Sequence, residues 1–270
     1  MNRMQMPDAE IPVLALPDDR TDDDSAVARE LRLQHFTQPD DVTCGPTALR
    51  KVYSFYGLEL ELDDVMLTLE RNDDGGTLAV FLGMAAQRQG FRTRIYSYDL
   101  QIFDPSWVDL DRSTLVQKIR ARFPYLEDAQ RKRAAMAYVR YLEIGGELSF
   151  EDLTPQLIRS IIDRGHPILA GLSATYLYGF TRERWDERKG RLVDDDIAGQ
   201  PTGHFIVISG YDQWGRRITV LDPSEHVPAA PDGRIIVGVE RLINAILLGD
   251  VTYDAVLLEV WPGTDSGSGP

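Results

Sequence analysis

Residues 204–223 read HFIVISGYD, QWGR, RITVLDP, and this run constrains the fold more than any other stretch. Two apolar, β-branched segments flank a short polar connection that contains Gly215. That is the pattern of two antiparallel strands joined by a tight turn. A hairpin brings the start of its first strand to the end of its second. Here those ends carry His204 and Asp222, which are therefore expected to be neighbours. A carboxylate beside an imidazole fixes its tautomer and supports its protonated form. Asp222 also precedes Pro223, and an Asp in such a turn commonly takes local backbone N–H groups instead.

The segments around the hairpin read as helices first and strands later. CGPTALRKVYSFY (44–56) is a helix with Pro46 in its first turn and Gly57 as its stop. Leu49, Val52, Tyr53 and Tyr56 fall at helical spacing along it. Further helices are expected from near Asp63 and over about 77–89, followed by a strand from Phe91. Residues 113–143 read as two helices broken near Pro124, an insertion lying over or beside the core. It would be either a covering helix pair or a substrate-recognition lid. A helix over 154–165, a strand over 167–172 and a polar surface loop over 181–203 lead into the hairpin. GRIIVGV, VERLINAILLG and YDAVLLEVW then read as strand, helix and strand. This order implies an α+β fold, an N-terminal helical part packed on a C-terminal antiparallel sheet, rather than alternating βαβ units. The expected organisation is a flexible acidic tail over 1–30, a single domain over 31–262 and a flexible tail over 263–270.

Composition excludes several functions. A net charge of -14 argues against nucleic acid, whose phosphates are held by clustered Lys and Arg. No window approaches ~18 apolar residues, and the N-terminus lacks the basic start of a secretory signal, so no membrane association and a cytoplasmic location are expected. Asp63-Asp64 and Asp73-Asp74 lack the remaining ligands of a calcium loop, and Asp194-Asp195-Asp196 reads as solvated. With no Cys/His cluster and no phosphate-binding glycine motif, no metal and no cofactor are expected. Trp107, Tyr176, Tyr178, Trp185 and Trp214 could line a cleft, with core packing expected for most of them.

Cys44 is the only cysteine of 270 residues, so no disulfide forms within the chain. A lone cysteine is usually a small buried hydrophobe. This one opens a helix, where unpaired N–H groups and the helix dipole favour an anion, and the thiolate is the nucleophilic form. Acyl transfer also needs a base and an oxyanion donor. Of the four histidines, His35 lies in an extended lead-in segment, His166 at a turn and His226 in a polar loop. His204 opens a buried strand, from which it can point into a cleft. Gln38, six positions before Cys44, could donate a side-chain amide N–H beside that of the Cys44 backbone.

Gln38, the Cys44-Gly45-Pro46 helix start, Tyr56-Gly57, His204 opening a strand and Asp222-Pro223 ending the next resemble the C39-like branch of papain-like cysteine peptidases. The resemblance runs from about Leu33 to Trp261. It implies a papain-like fold, with Gln38 as oxyanion donor, Cys44 as nucleophile, His204 as base and Asp222 as the residue orienting it. It implies a cysteine peptidase or amidase acting on a peptide or protein substrate. The same site would serve an acyl transferase, and a chain without turnover would be a C39-like binding module. A protein partner beyond the substrate is left open. Family members often carry Asp before the cysteine, where this chain has Thr43. They also commonly cut leader peptides at double-Gly sites within membrane exporters, and this chain shows no transporter segment.

Overall fold

The central strands of the main sheet are apolar in most positions because helices cover both of its faces. The computed structural model describes residues 27–72, 75–227, 231–249 and 255–263. In chain order, β1 (Val27–Glu30) is followed by α1 (Cys44–Phe55), α2 (Leu62–Leu67) and α3 (Ala79–Arg88). Then come β2 (Phe91–Ser97), α4 (Arg112–Arg122), α5 (Ala129–Glu143) and β3 (Glu147–Ser149). The middle of the chain forms α6 (Pro155–Asp163), β4 (Ile168–Ser173), α7 (Ala174–Tyr178), β5 (Glu183–Asp186) and β6 (Arg191–Asp194). The last elements are β7 (Gly203–Asp212), β8 (Arg217–Leu221), β9 (Arg234–Gly238), α8 (Val239–Leu247) and β10 (Val256–Pro262).

The main sheet runs β3-β2-β10-β4-β7-β8-β9, with β1 also paired to β7. Side chains along each strand alternate between two cores. Leu169, Val207, Leu221 and Leu258 face a core built with α1, α3, α4 and α5. Ile168, Ala170, Ile206, Ile208 and Leu257 face a second core built with α6, α7 and α8. The fold is α+β, as the order of elements implies, but the layering differs from helices on one side of a C-terminal sheet. The sheet takes β1 and β2 from the first half of the chain, and β3 lies parallel to β2. The helices after β3 supply the second cover, because a sheet of such apolar strands has two faces to bury.

Residues 113–143 form the expected pair, with a short 3-10 turn over Phe123–Tyr125 at Pro124. Asp111 and Asp128 accept backbone N–H groups at the starts of α4 and α5. Ile119, Ala135, Tyr138 and Leu142 are buried in the same core as α1 and α3. Gly83 permits this packing, because a Cβ there would lie 2.9 Å from the Tyr141 ring. Two local expectations are corrected. Residues 181–203 are not simply a loop: they contain the β5–β6 hairpin, with Glu183 opposite Asp194 and a turn at Gly190 (φ 60°). Its strands carry so many charged residues that their alternation is masked in the sequence. Residues 27–30, placed in the tail from composition, form β1 against β7. Residues 1–26, Asp73-Asp74 and 264–270 lie outside the described residues.

Candidate active site

Helix α1 starts at Cys44, so the sulfur occupies the first helical position, as the sequence predicts. Thr43 precedes it without a side-chain cap, which leaves the first-turn N–H groups to whatever faces them. Gly45 explains how close this end comes to β7. A Cβ on Gly45 would lie 2.6 Å from Thr77 Cγ2 and 3.2 Å from the Phe205 ring. Thr77 is itself held by its hydroxyl donating to the Glu70 carbonyl at 3.1 Å, so it has little freedom to move. Phe205 is the neighbour of His204, and the missing side chain thus lets the cysteine end of the helix seat against the histidine end of the strand. Gly45→Ala should lower stability by about 1–3 kcal/mol through overpacking. Urea unfolding checks this, and an unchanged midpoint would mean that the helix can slide without loss.

His204 and Asp222 meet as the hairpin predicts. His204 Nε2 lies 2.9 Å and 3.0 Å from the two Asp222 carboxylate oxygens. The Cys44 side chain also acts on the imidazole and favours its protonated form. Asp222 is fully buried, whereas the His204 side chain keeps 10% exposure toward the cleft. Tyr178 of α7 donates its hydroxyl to Asp222 at 2.5 Å, and the Ser224 N–H donates at 2.7 Å. Asp222 is therefore a turn carboxylate and a histidine partner at once. Burial opposes the charged imidazole, but the Asp222 charge and hydrogen bond, with Cys44, hold the His204 pKa well above its ordinary value. Burial likewise opposes the carboxylate, and His204, Tyr178 and Ser224 together hold the Asp222 pKa below its ordinary value.

A β-bulge makes this pairing work. Ile208 pairs with Val220 and Val207 with Leu221, whereas nearer the turn Gly210 pairs with Thr219. Ser209 is the extra residue. A hairpin without it would continue to Val207 opposite Asp222, on the α1 face of the sheet. The bulge shifts the register by one, and a shift of one moves each side chain to the other face. Asp222 then alternates away from Leu221, onto the face shared by Ile206 and His204. Strand β1 crosses at this point, with the Leu31 N–H donating to the Ser209 carbonyl at 2.7 Å.

Gln38 lines the same cleft as His204. Its amide nitrogen donates to the Asp40 carbonyl at 2.7 Å, which uses one of its two N–H groups. Its amide oxygen is buried without a protein partner. The Gln38 backbone N–H donates to the Pro223 carbonyl at 2.8 Å, tying this segment to the loop that carries Asp222. Gln38, His204 and Asp222 thus gather at one end of the sheet, and Cys44 acts on His204 from the start of α1. The cleft is about 790 Å³, and the β5–β6 hairpin supplies one wall through Glu183, Arg191, Leu192 and Asp194. Nothing in the residue pattern of 181–203 marked that wall. Of the five aromatics, Tyr178 lines the cleft, Trp107 is buried in the core, and Tyr176, Trp185 and Trp214 are exposed, against the expectation of core packing for most of them. His166 pairs with Glu259 at 2.7 Å and stacks on Trp261, apart from this site. No cluster of metal-ligating side chains occurs among the described residues. No helix among them is long and apolar enough to cross a membrane.

Comparison with known proteins gives a family. The chain matches the Peptidase_C39 like family over residues 30–230. No curated protein matches it. Among solved structures, it is similar to a double glycine motif protease from an AMS/PCAT transporter in complex with the leader peptide, at 13% identity and a TM-score of 0.41, covering 88% of this chain and 97% of that one. It is also similar to the peptidase domain of Streptococcus ComA, a bifunctional ABC transporter involved in quorum sensing, at 15% identity and a TM-score of 0.40, covering 86% and 100%. Xylellain, a cysteine protease from Xylella fastidiosa, matches at 12% identity and a TM-score of 0.35, covering 92% and 95%. The family match spans Gln38, Cys44, His204 and Asp222, and the chain, whose fold is α+β, belongs to the Peptidase_C39 like family.

Proposed function

We propose that this protein is a cysteine peptidase or amidase acting through Cys44, His204 and Asp222. The observation that carries this reading is the His204 ring held on the buried Asp222 carboxylate, with the Cys44 side chain acting on the same ring. The Cys44 proton passes to His204, and the sulfur attacks the carbonyl carbon of a peptide or related amide. A C–S bond forms and the carbonyl electrons move onto oxygen. The second N–H of the Gln38 amide and the Cys44 backbone N–H receive that charge. His204 then gives its proton to the leaving nitrogen as the C–N bond breaks. In the second half, His204 takes a proton from water, the hydroxide attacks the thioester, and the C–S bond breaks to return Cys44. Asp222 holds the ring in the tautomer these steps need, and Tyr178 and Ser224 hold Asp222. No step requires a metal or cofactor.

The single cysteine makes the test direct, because intact mass after iodoacetamide reads one site. Wild-type Cys44 should alkylate quickly well below neutral pH, and His204→Ala should return it to the behaviour of an ordinary accessible thiol. Equal profiles in both proteins, or no labelling of the folded wild type, would sink the proposal.

A further inference from the structure

Helix α1 carries one ionisable side chain that the proposed mechanism does not use. Lys51 is fully buried. The chain has only four lysines (Lys51, Lys118, Lys132 and Lys189), so an interior one is not the overflow of a lysine-rich surface. Burying an ammonium is costly unless it is paired. The Lys51 Nζ lies 3.0 Å from His35 Nδ1, and His35 Nε2 lies 3.2 Å from Thr37 Oγ1. An ammonium only donates, so His35 accepts at Nδ1 and keeps its proton on Nε2. Consistent with a neutral ring, burial and then Lys51 hold the His35 pKa below its ordinary value, against the pull of Asp232 and Asp222. Burial pushes Lys51 down to about 8, and the Asp222 carboxylate opposes that fall.

The backbone locks this pair to the loop that carries Asp222. Gln38 N–H donates to the Pro223 carbonyl at 2.8 Å, and Asp222 N–H donates to the Gly233 carbonyl at 2.9 Å. Gly233 has a φ of 73°, and a Cβ there would overlap the His35 ring. His35, Lys51 and Asp222 therefore belong to one packed unit. The groups that act on the ammonium come from several elements. His35 faces it from the lead-in segment, and the Asp222 charge acts on it from the loop after β8. Asp232 acts through His35, and His204 of β7 and Tyr178 of α7 act through Asp222. Cys44 lies on the same helix.

Resting on the Cys44–His204–Asp222 reading, we propose that Lys51 is a positioning residue of that site, a buried ammonium that keeps Asp222 ionised when His204 gives its proton away. While His204 is protonated, the two charges of the pair compensate each other. When the proton leaves for the amine, a buried carboxylate remains without its partner, the most unfavourable moment of the cycle for this loop. The ammonium offsets that charge without touching substrate. His35 holds the ammonium in place, since a long flexible side chain would otherwise have many positions.

The test uses the full chain and iodoacetamide. The Cys44 alkylation profile of the wild type should show two inflections, formation of the thiolate–imidazolium pair and loss of the imidazolium proton. A nearby positive charge favours the first ionisation. Lys51→Met keeps the side-chain bulk and removes the charge, so the first inflection, where the ammonium still holds its proton, should move to higher pH by about half a unit or more. A purely structural lysine would lower stability or overall rate and leave that inflection where it is, which would overturn the proposal. If Lys51→Met does not fold, lysine-labelled NMR on the wild type and on Asp222→Asn decides instead. One of four lysines should titrate near the value set by burial, and Asp222→Asn should move that titration to lower pH by about half a unit or more. An unmoved titration overturns the proposal. A wild type without the two-inflection profile ends the catalytic reading and the role of Lys51 with it, and is distinguishable because the reference profile itself is then missing.

Discussion

Cys44→Ala should fold normally and turn over nothing. The substitution removes one sulfur from a side chain that is only partly buried at the edge of the core. Alanine suits the first turn of a helix, so stability should stay within about 1 kcal/mol of wild type. Turnover should fall by at least about 10⁴-fold, since no other group can form the covalent intermediate and losses of this order follow removal of a nucleophile. Hydrolysis of a peptide library, read by mass spectrometry beside a thermal melt, checks both halves. A folded Cys44→Ala with full turnover would end the cysteine mechanism. A variant that loses turnover by failing to fold would show instead that the sulfur is scaffold.

Asp222→Asn should produce the second large effect, and it should depend on pH. The side chain keeps its shape but loses its charge, and its nitrogen cannot accept from His204, Tyr178 or Ser224. Turnover should drop by about 10³–10⁴-fold, the scale seen when a triad carboxylate becomes an amide and the histidine tautomer is lost. Stability should fall most where both partners are charged in the wild type. The raised His204 pKa means that its contribution is complete below the ordinary imidazole value of 6.5 and is lost as pH rises through the higher folded value. The lowered Asp222 pKa means that its contribution is complete above 3.8 and is lost as pH falls through the lower folded value. The gap between wild type and variant should therefore be widest between those limits, about 3–5 kcal/mol for breaking a buried pair from one side. It should narrow as the solution becomes alkaline. Urea midpoints at about pH 5 and about pH 9 measure it, and a gap that widens toward alkaline pH would contradict the ion pair.

Much of the site was legible in the chain before any coordinates. Pro46 and Gly57 bounded α1 and so put Cys44 at its start. The turn between Asp212 and Arg217 set the hairpin and so brought His204 toward Asp222. Both inferences rest on local rules, since helix caps and short turns act within a few residues. The β5–β6 hairpin was not legible, because Glu183, Arg184, Asp186, Arg191 and Asp194 carry no apolar alternation strong enough to mark a strand. Nor was the covering of both sheet faces, because continuous apolar runs say that a strand is buried and not which helices bury it.

The sequence by itself determined which residues could meet: one cysteine, a histidine opening a strand, an aspartate ending its neighbour, and a glutamine ahead of the helix. Tertiary structure decided how they face one another. The Ser209 bulge carries Asp222 onto the His204 face, and it forms where β1, more than 170 residues earlier in the chain, crosses β7. Gly45 gains its meaning only from Thr77 and Phe205, and Lys51 only from His35 and the Asp222 loop. Local propensity acts over a few bonds, whereas register, close approach and buried charge are set by segments distant in sequence packing into the same volume.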